Sequence, residues 1–225
     1  SSCTYCFAPR ARIRVMPTIC SKEDSDVDSG KKKQIRIVRA MFVNSLLSAA
    51  SFQMPLPYDV EMIQAIQPGS LARAASGLAN ASAVGGLLEF LLNPTLGRIG
   101  DCVGRKPFFL VPPILVALSH FLLCYRSKWY LVYICRVLRQ INIGYVSGVG
   151  MLAMLGDVAT GKDYAAGMST VMSSGAVSVI VTASLTAWIR ERLGLRGVYA
   201  ASAVLASLQA LAGAVILEET LPPSL

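Results

Sequence analysis

At 225 residues, with 54% hydrophobic and 15% charged residues, the chain is too apolar for an ordinary soluble domain of its size. Its charge is also unevenly placed: long uncharged stretches alternate with short clusters of Arg, Lys and Asp, whereas a soluble helical fold spreads charge along every amphipathic helix. The net charge of +8 does not point to nucleic acid, because the basic residues neither interleave with aromatics nor form a recognition helix, and nine of the 21 Lys and Arg fall in residues 1–39, a bias that membrane topology explains.

Residues 1–36 read as a disordered basic tail. An acidic patch at Glu23, Asp24, Asp26 and Asp28 precedes Lys31-Lys32-Lys33, and the segment has too little apolar surface to build a core. Cys3-Thr-Tyr-Cys6 has zinc-like spacing, but no second pair or nearby His completes four ligands, so neither a metal nor another cofactor is expected.

Residues 37–217 contain six runs long enough to cross a bilayer, for which about 20 helical residues suffice. The first, Ala40–Tyr58, is uncharged up to Pro55 and Pro57, which should break it. The second, Ala74–Gly97, holds one charge, Glu89. The third, Pro107–Tyr125, carries the chain's one histidine, His120. The fourth, Trp129–Gly156, contains Arg136, Arg139 and a Gly144/Gly148 pair four residues apart that suits close helix packing. The fifth and sixth, Tyr164–Ile189 and Gly197–Leu217, are uncharged, and residues 218–225 read as the start of a central cytoplasmic linker. The expected fold is therefore an all-α membrane protein, a six-helix bundle whose solvent is the lipid bilayer. With the N-terminus inside, thirteen Lys and Arg lie on the inner segments and six on the outer ones, which places both termini in the cytosol.

Between the second and third runs the sequence reads Gly97-Arg-Ile-Gly-Asp101-Cys-Val-Gly104-Arg105-Lys106-Pro107. A tight connection between two long helices needs flexible backbone, which Gly97, Gly100 and Gly104 would supply, and Pro107 suits the first turn of the next helix. In order and position this segment resembles the loop signature of the major facilitator superfamily, Gly-x-x-x-Asp-(Arg/Lys)-x-Gly-(Arg/Lys)-(Arg/Lys), at Gly97, Asp101, Gly104, Arg105 and Lys106; Cys102 replaces a cation. Asn93-Pro-Thr-Leu-Gly97, Gly156-Asp157-Val158 and Glu218-Glu219-Thr220-Leu221-Pro222 are similar to segments of its tetracycline-efflux-like drug/proton antiporters. The fourth run departs from that group: Arg136-Val-Leu-Arg139-Gln140 starts its Arg-x-x-Gln-Gly pattern without a glycine in register, and its spacing to Asp157 is longer. The fifth run lacks the Gly-Pro antiporter signature.

The resemblance implies one six-helix half of a twelve-helix fold, a C-terminal six-helix partner half, and a small solute bound between the halves. It also implies secondary transport by alternating access, with proton-coupled export as one form. Asp101 and Arg105 would form a conformational latch with Gly97, Gly104 and Lys106, and Arg105 would pair with Asp157. Glu89 lies about 12 Å along the helix from Gly97; an ionisable group at that depth marks an ion or substrate path, in which it would pair with Arg136 or Arg139 or exchange a proton. Sugar-porter-like uptake and a truncated, non-transporting scaffold are the alternatives. No His-Glu-x-x-His, Gly-x-Ser-x-Gly or Walker sequence appears, so an enzyme is not expected.

Overall fold

Inside hydrocarbon every backbone N–H and C=O must find a partner within the chain, and helices meet that demand locally. The computed structural model describes residues 20–217, and among these residues it holds seven α-helices and no strand. They are α1 (Cys20–Gln53), α2 (Asp59–Ile66), α3 (Leu71–Val103), α4 (Lys106–Tyr125), α5 (Trp129–Gly144), α6 (Gly150–Val158) and α7 (Gly161–Ile216). A π-helical turn over Tyr145–Val149, kinked at Gly148, joins α5 to α6. Gly194, at φ 70° and ψ −171°, divides α7 into arms over residues 161–193 and 195–216. The six crossings are thus α1, α3, α4, α5 with α6, and the two arms of α7. Lys31–Ile66, Leu71–Asp101 and Gly161–Ile216 are long and apolar enough to span a membrane, and Phe109–Tyr125 is a shorter apolar helix.

Three boundaries differ from the sequence expectation. Residues 20–36, expected to be disordered, continue α1 beyond its apolar run. A helix already nucleated and packed gains one hydrogen bond per added residue, and Lys, Gln and Arg are good helix formers, so it propagates outward. Residues 1–19, with Cys3 and Cys6, and the linker at 218–225 lie outside the described residues. Second, α3 runs on to Val103, so Gly97 and Gly100 are helical, and Gly104 alone of the three glycines takes a positive φ, 100° with ψ 158°. Third, Gly148 packs against nothing within 4 Å of a built Cβ and belongs to the π turn, so it is not a helix-packing glycine.

The break after α1 occurs where the two prolines demand it. A 3₁₀ turn, Leu56–Tyr58, follows Pro55 and delivers the chain into α2 at Asp59. The Ser70 hydroxyl then accepts from the Arg73 N–H at 3.2 Å and caps α3.

Apolar side chains fill both ends of the bundle. Ile37, Met41, Phe109, Met154 and Val171 pack near the α3–α4 connection, and Met62, Leu78, Leu123, Val132 and Tyr199 pack near α2. Between the ends a small apolar cluster of Val116, Ala117 and Ala206 is joined by extensive polar contacts. Ser174, Ser178, Thr182 and Thr186 form a buried stripe on the first arm of α7, and Asn44, Ser45, Ser48 and Ser51 are buried on α1. Ser174 donates its one proton to the Val171 carbonyl at 2.6 Å and so accepts from the Ser45 hydroxyl at 2.9 Å, and Asn142 donates to Gln209 at 3.3 Å and to Ser48 at 3.4 Å. Lipid gives apolar helices no reason to prefer each other, so small residues and hydrogen bonds set the packing. The outer surface is correspondingly apolar, with Phe90, Ile180 and Val215 largely exposed. Water would penalise that surface; acyl chains do not.

Gly104 occupies a region of backbone space open essentially to glycine alone. Gly104→Ala should destabilise the protein by about 1–3 kcal/mol. Gly97→Ala, at a helical site with open space around the new methyl, should be neutral or slightly stabilising. Thermal unfolding of both variants in detergent measures the contrast.

Candidate functional site: a buried charge cluster and an ion-paired loop

The two ends of the bundle carry different electrostatics. At the end bearing α2 and Gly194, the corner end, the Asp59 carboxylate is buried to 1% exposure. The proline-containing turn aims it inward, between α5 and the second arm of α7. Asp59 Oδ2 accepts from Arg139 Nη2 at 2.5 Å and from Arg136 Nη1 at 3.2 Å, while Oδ1 accepts from the Tyr199 hydroxyl at 2.6 Å. Arg136 Nε also donates to Ser82 on α3 at 2.9 Å. Arg136 and Arg139 are three residues apart on α5 and so project from one side of it. Arg139 is fully buried, and its Nε and Nη1 have no protein acceptor among the described residues. Two guanidiniums on one carboxylate leave a local surplus of positive charge in a low-dielectric interior.

His120 adjoins this cluster with its ring edge-on to Tyr199, centroids 5.7 Å apart. Ser202 donates its one proton to the Ser51 carbonyl at 2.7 Å, so at 3.1 Å it accepts from His120 Nδ1. That assignment puts the proton on Nδ1 and leaves Nε2 as a buried lone pair without a protein partner among the described residues. Nearer the surface, Arg190 on α7 pairs with Glu61 on α2, and Cys124 Sγ donates to the Arg196 carbonyl at 3.5 Å.

Glu89 is not part of this cluster. The expected pairing with Arg136 or Arg139 gives way to a hydrogen bond from Gln140 Nε2 at 3.3 Å. The carboxyl lies over Gly144, where a Cβ would come within 2.1 Å of it. Gly144 therefore makes room for a side chain. The counterion of the two arginines, Asp59, escapes a reading of the sequence because it lies 77 and 80 residues away, just past the end of the first apolar run. The signal available is the pair of intramembrane arginines, which requires a carboxylate from somewhere.

At the opposite end, the loop end, Arg105 bridges two helices. Its Nη1 meets Asp157 Oδ2 at 2.9 Å, the partner expected for it, and its Nη2 meets Asp101 Oδ1 at 3.1 Å, a contact within the same half where Asp101 was expected to act on the other. The Arg105 side chain is 12% exposed and that of Asp101 63%. Lys106 opens α4, and Gly97 lies within α3. Among the described residues no group of three or more His, Cys, Asp or Glu is placed to hold a metal ion.

Six apolar crossings, a polar interior and a charged connection between the second and third crossings define an integral membrane protein with the helix arrangement of one half of a transporter. The chain belongs to the major facilitator superfamily, whose family model matches residues 40–225. Among solved structures it is similar to the human organic anion transporter MFSD10 (TETRAN), with a TM-score of 0.70 and 20% identity over 84% of this chain. The match covers 49% of that transporter, so the chain spans about half its length. No curated protein matches the sequence significantly.

Removing one partner from a buried ion cluster leaves the others uncompensated. Asp59→Asn should cost about 3–5 kcal/mol of stability, and adding Arg139→Gln should recover part of that loss. Glu61→Gln, at a half-exposed pair, should leave the melting temperature nearly unchanged. Melting curves of the three variants in one detergent provide the comparison.

Proposed function

We propose that this chain is the N-terminal half of a secondary transporter that moves a small organic anion by alternating access, with both termini in the cytosol. The observation that carries the reading is the surplus guanidinium at Asp59. Arg136 is 19% exposed at its side chain and satisfies Asp59 and Ser82 together, so it is suited to exchange a protein acceptor for a substrate carboxylate. MFSD10, whose fold this chain resembles, is an organic anion transporter, and that likeness supports the same class of substrate.

Glu89 supplies a route to proton coupling. Its carboxyl sits on Gly144, five residues and about 7.5 Å of helix rise beyond Arg139. A proton on Glu89 removes a negative charge near the anion's path, so proton and anion each favour the other's binding. At the loop end, Arg105 and Asp157 hold the helices within this half together, while Asp101 presents its exposed carboxylate to the second half. Charge-assisted pairs at a wet interface break and re-form at modest net cost, which suits a latch.

Full-length protein in liposomes tests the reading. Labelled organic anions should exchange across the membrane, organic cations should not, and acidification of the side of entry should accelerate anion entry. A preference for cations would reject the substrate class. Glu89→Gln should keep anion exchange but lose its pH dependence. Asp101→Asn should slow transport by roughly tenfold, the effect of weakening one charge-assisted hydrogen bond, without reducing membrane insertion. Unchanged transport by Asp101→Asn would remove the latch.

A further inference from the structure

The first helix extends past its apolar run still helical, and that continuity sets the register of Lys31, Lys32, Lys33, Arg36 and Arg39. Lys32, Arg36 and Arg39 are spaced four and three residues apart and share one helical face. A cleft of about 380 Å³ follows this face between α1 and the end of α7. Those three cations line it together with Ile35, Val43 and Ile216, apolar side chains that are all exposed. From Lys32 to Val43 the helix advances about 16 Å, enough to pass from the headgroup layer into the hydrocarbon. Along the helix the cations run from Lys32 to Arg39 with Ile35 between the first two, and Val43 carries the apolar wall on toward the bundle.

We propose that this cleft seats an anionic phospholipid, with its phosphate and headgroup carboxylate or phosphates against Lys32, Arg36 and Arg39 and an acyl chain along Ile35, Val43 and Ile216. Charge complementarity and depth select this occupant. A soluble polyanion would use the cations and leave the apolar walls in place without contact. A zwitterionic lipid would cover the walls but bring its own ammonium to a cationic site. The inner leaflet, which this end faces when the termini are cytosolic, is where anionic lipids concentrate, and each cation at such a surface strengthens binding about fivefold. The site is independent of the transport cycle and stands whether or not the protein carries an anion.

The experiment uses the full-length protein in phosphatidylcholine-containing micelles, titrated with phosphatidylserine, with melting temperature and lipid adducts in native mass spectrometry as readouts. Phosphatidylserine should bind and raise the melting temperature where added phosphatidylcholine does not, and the effect should shrink as salt is raised. The K32Q/R36Q/R39Q variant should bind phosphatidylserine roughly two orders of magnitude more weakly, and Arg39→Gln alone roughly fivefold, which keeps the test decisive if the triple variant folds poorly. Lys33→Gln, which does not line the cleft, should lose less than Arg39→Gln. Equal stabilisation by phosphatidylcholine, or phosphatidylserine binding unchanged in Arg39→Gln, overturns the proposal. Equal protection by inorganic phosphate without lipid also overturns it and makes the cleft a soluble-anion site.

Discussion

Two arginines on one side of one membrane helix set the terms for the corner end of this bundle. Neither guanidinium can lose its charge, and neither can be left unpaired in hydrocarbon. Asp59 answers both, and meeting that requirement fixes several elements at once. The chain must turn inward after Pro55, α2 must lie against α3 and α5, and the second arm of α7 must present Tyr199 to the free carboxylate oxygen. Apolar burial cannot supply this registration, since lipid is as good a solvent for Leu as another helix is. The polar contacts carry it instead, through Ser82, Asn142, Gln209 and the serine–threonine face between α1 and α7.

The same type of interaction has different consequences at the two ends because the surroundings differ. The Asp59–Arg139 pair is dry, and separating it exposes charge to a medium that cannot solvate it, so its helices move together. The Arg105 bridge ends on Asp101, which is largely exposed, and water replaces a broken contact there. In the proposed cycle, a bundle tied firmly at one end and reversibly at the other would rock as a unit against a second half while its loop engages and releases. This division of labour arises from burial, with the same Arg–Asp chemistry at both ends.

What was legible in the sequence followed from local rules. The six crossings were readable because each is a long, predominantly apolar run bounded by charge or proline, interrupted only at Glu89, Arg136 and Arg139, and α4 starts and stops within a residue of its expected limits. The pairing of Arg105 with Asp157 was readable through the family signature, since no spacing rule joins residues 52 apart. The Asp59 contacts were not, because they depend on how a turn after Pro55 enters the bundle. The continuation of α1 to Cys20 was also hidden: a tail rich in Lys and Asp has the composition of a disordered segment, and nothing local shows that a packed helix will propagate into it. The unusual length of the fourth crossing was visible as a poor fit to the family pattern. Its physical form, a π turn over Tyr145–Val149, was not. A π turn holds one more residue than an α turn, and so absorbs one residue of the excess at the kink between α5 and α6.

The two acids of the interior are sorted by their donors. Asp59 accepts from two guanidiniums and a phenol, and neutralising it would strand both cations, so the fold itself requires its charge. Glu89 accepts from a single neutral amide, and Gly144 leaves it space that any larger residue would fill. Neither protonation state of Glu89 strands a buried partner, because the Gln140 N–H can serve a carboxylate or the carbonyl oxygen of a carboxylic acid. A group whose charge can change without dismantling its surroundings is the kind a transporter can couple to an ion gradient. In the proposed cycle that freedom belongs to Glu89, one turn and a half along from the Asp59 cluster, so a proton there would alter the field at Arg136 while the buried Asp59–Arg139 pair keeps the helices in register.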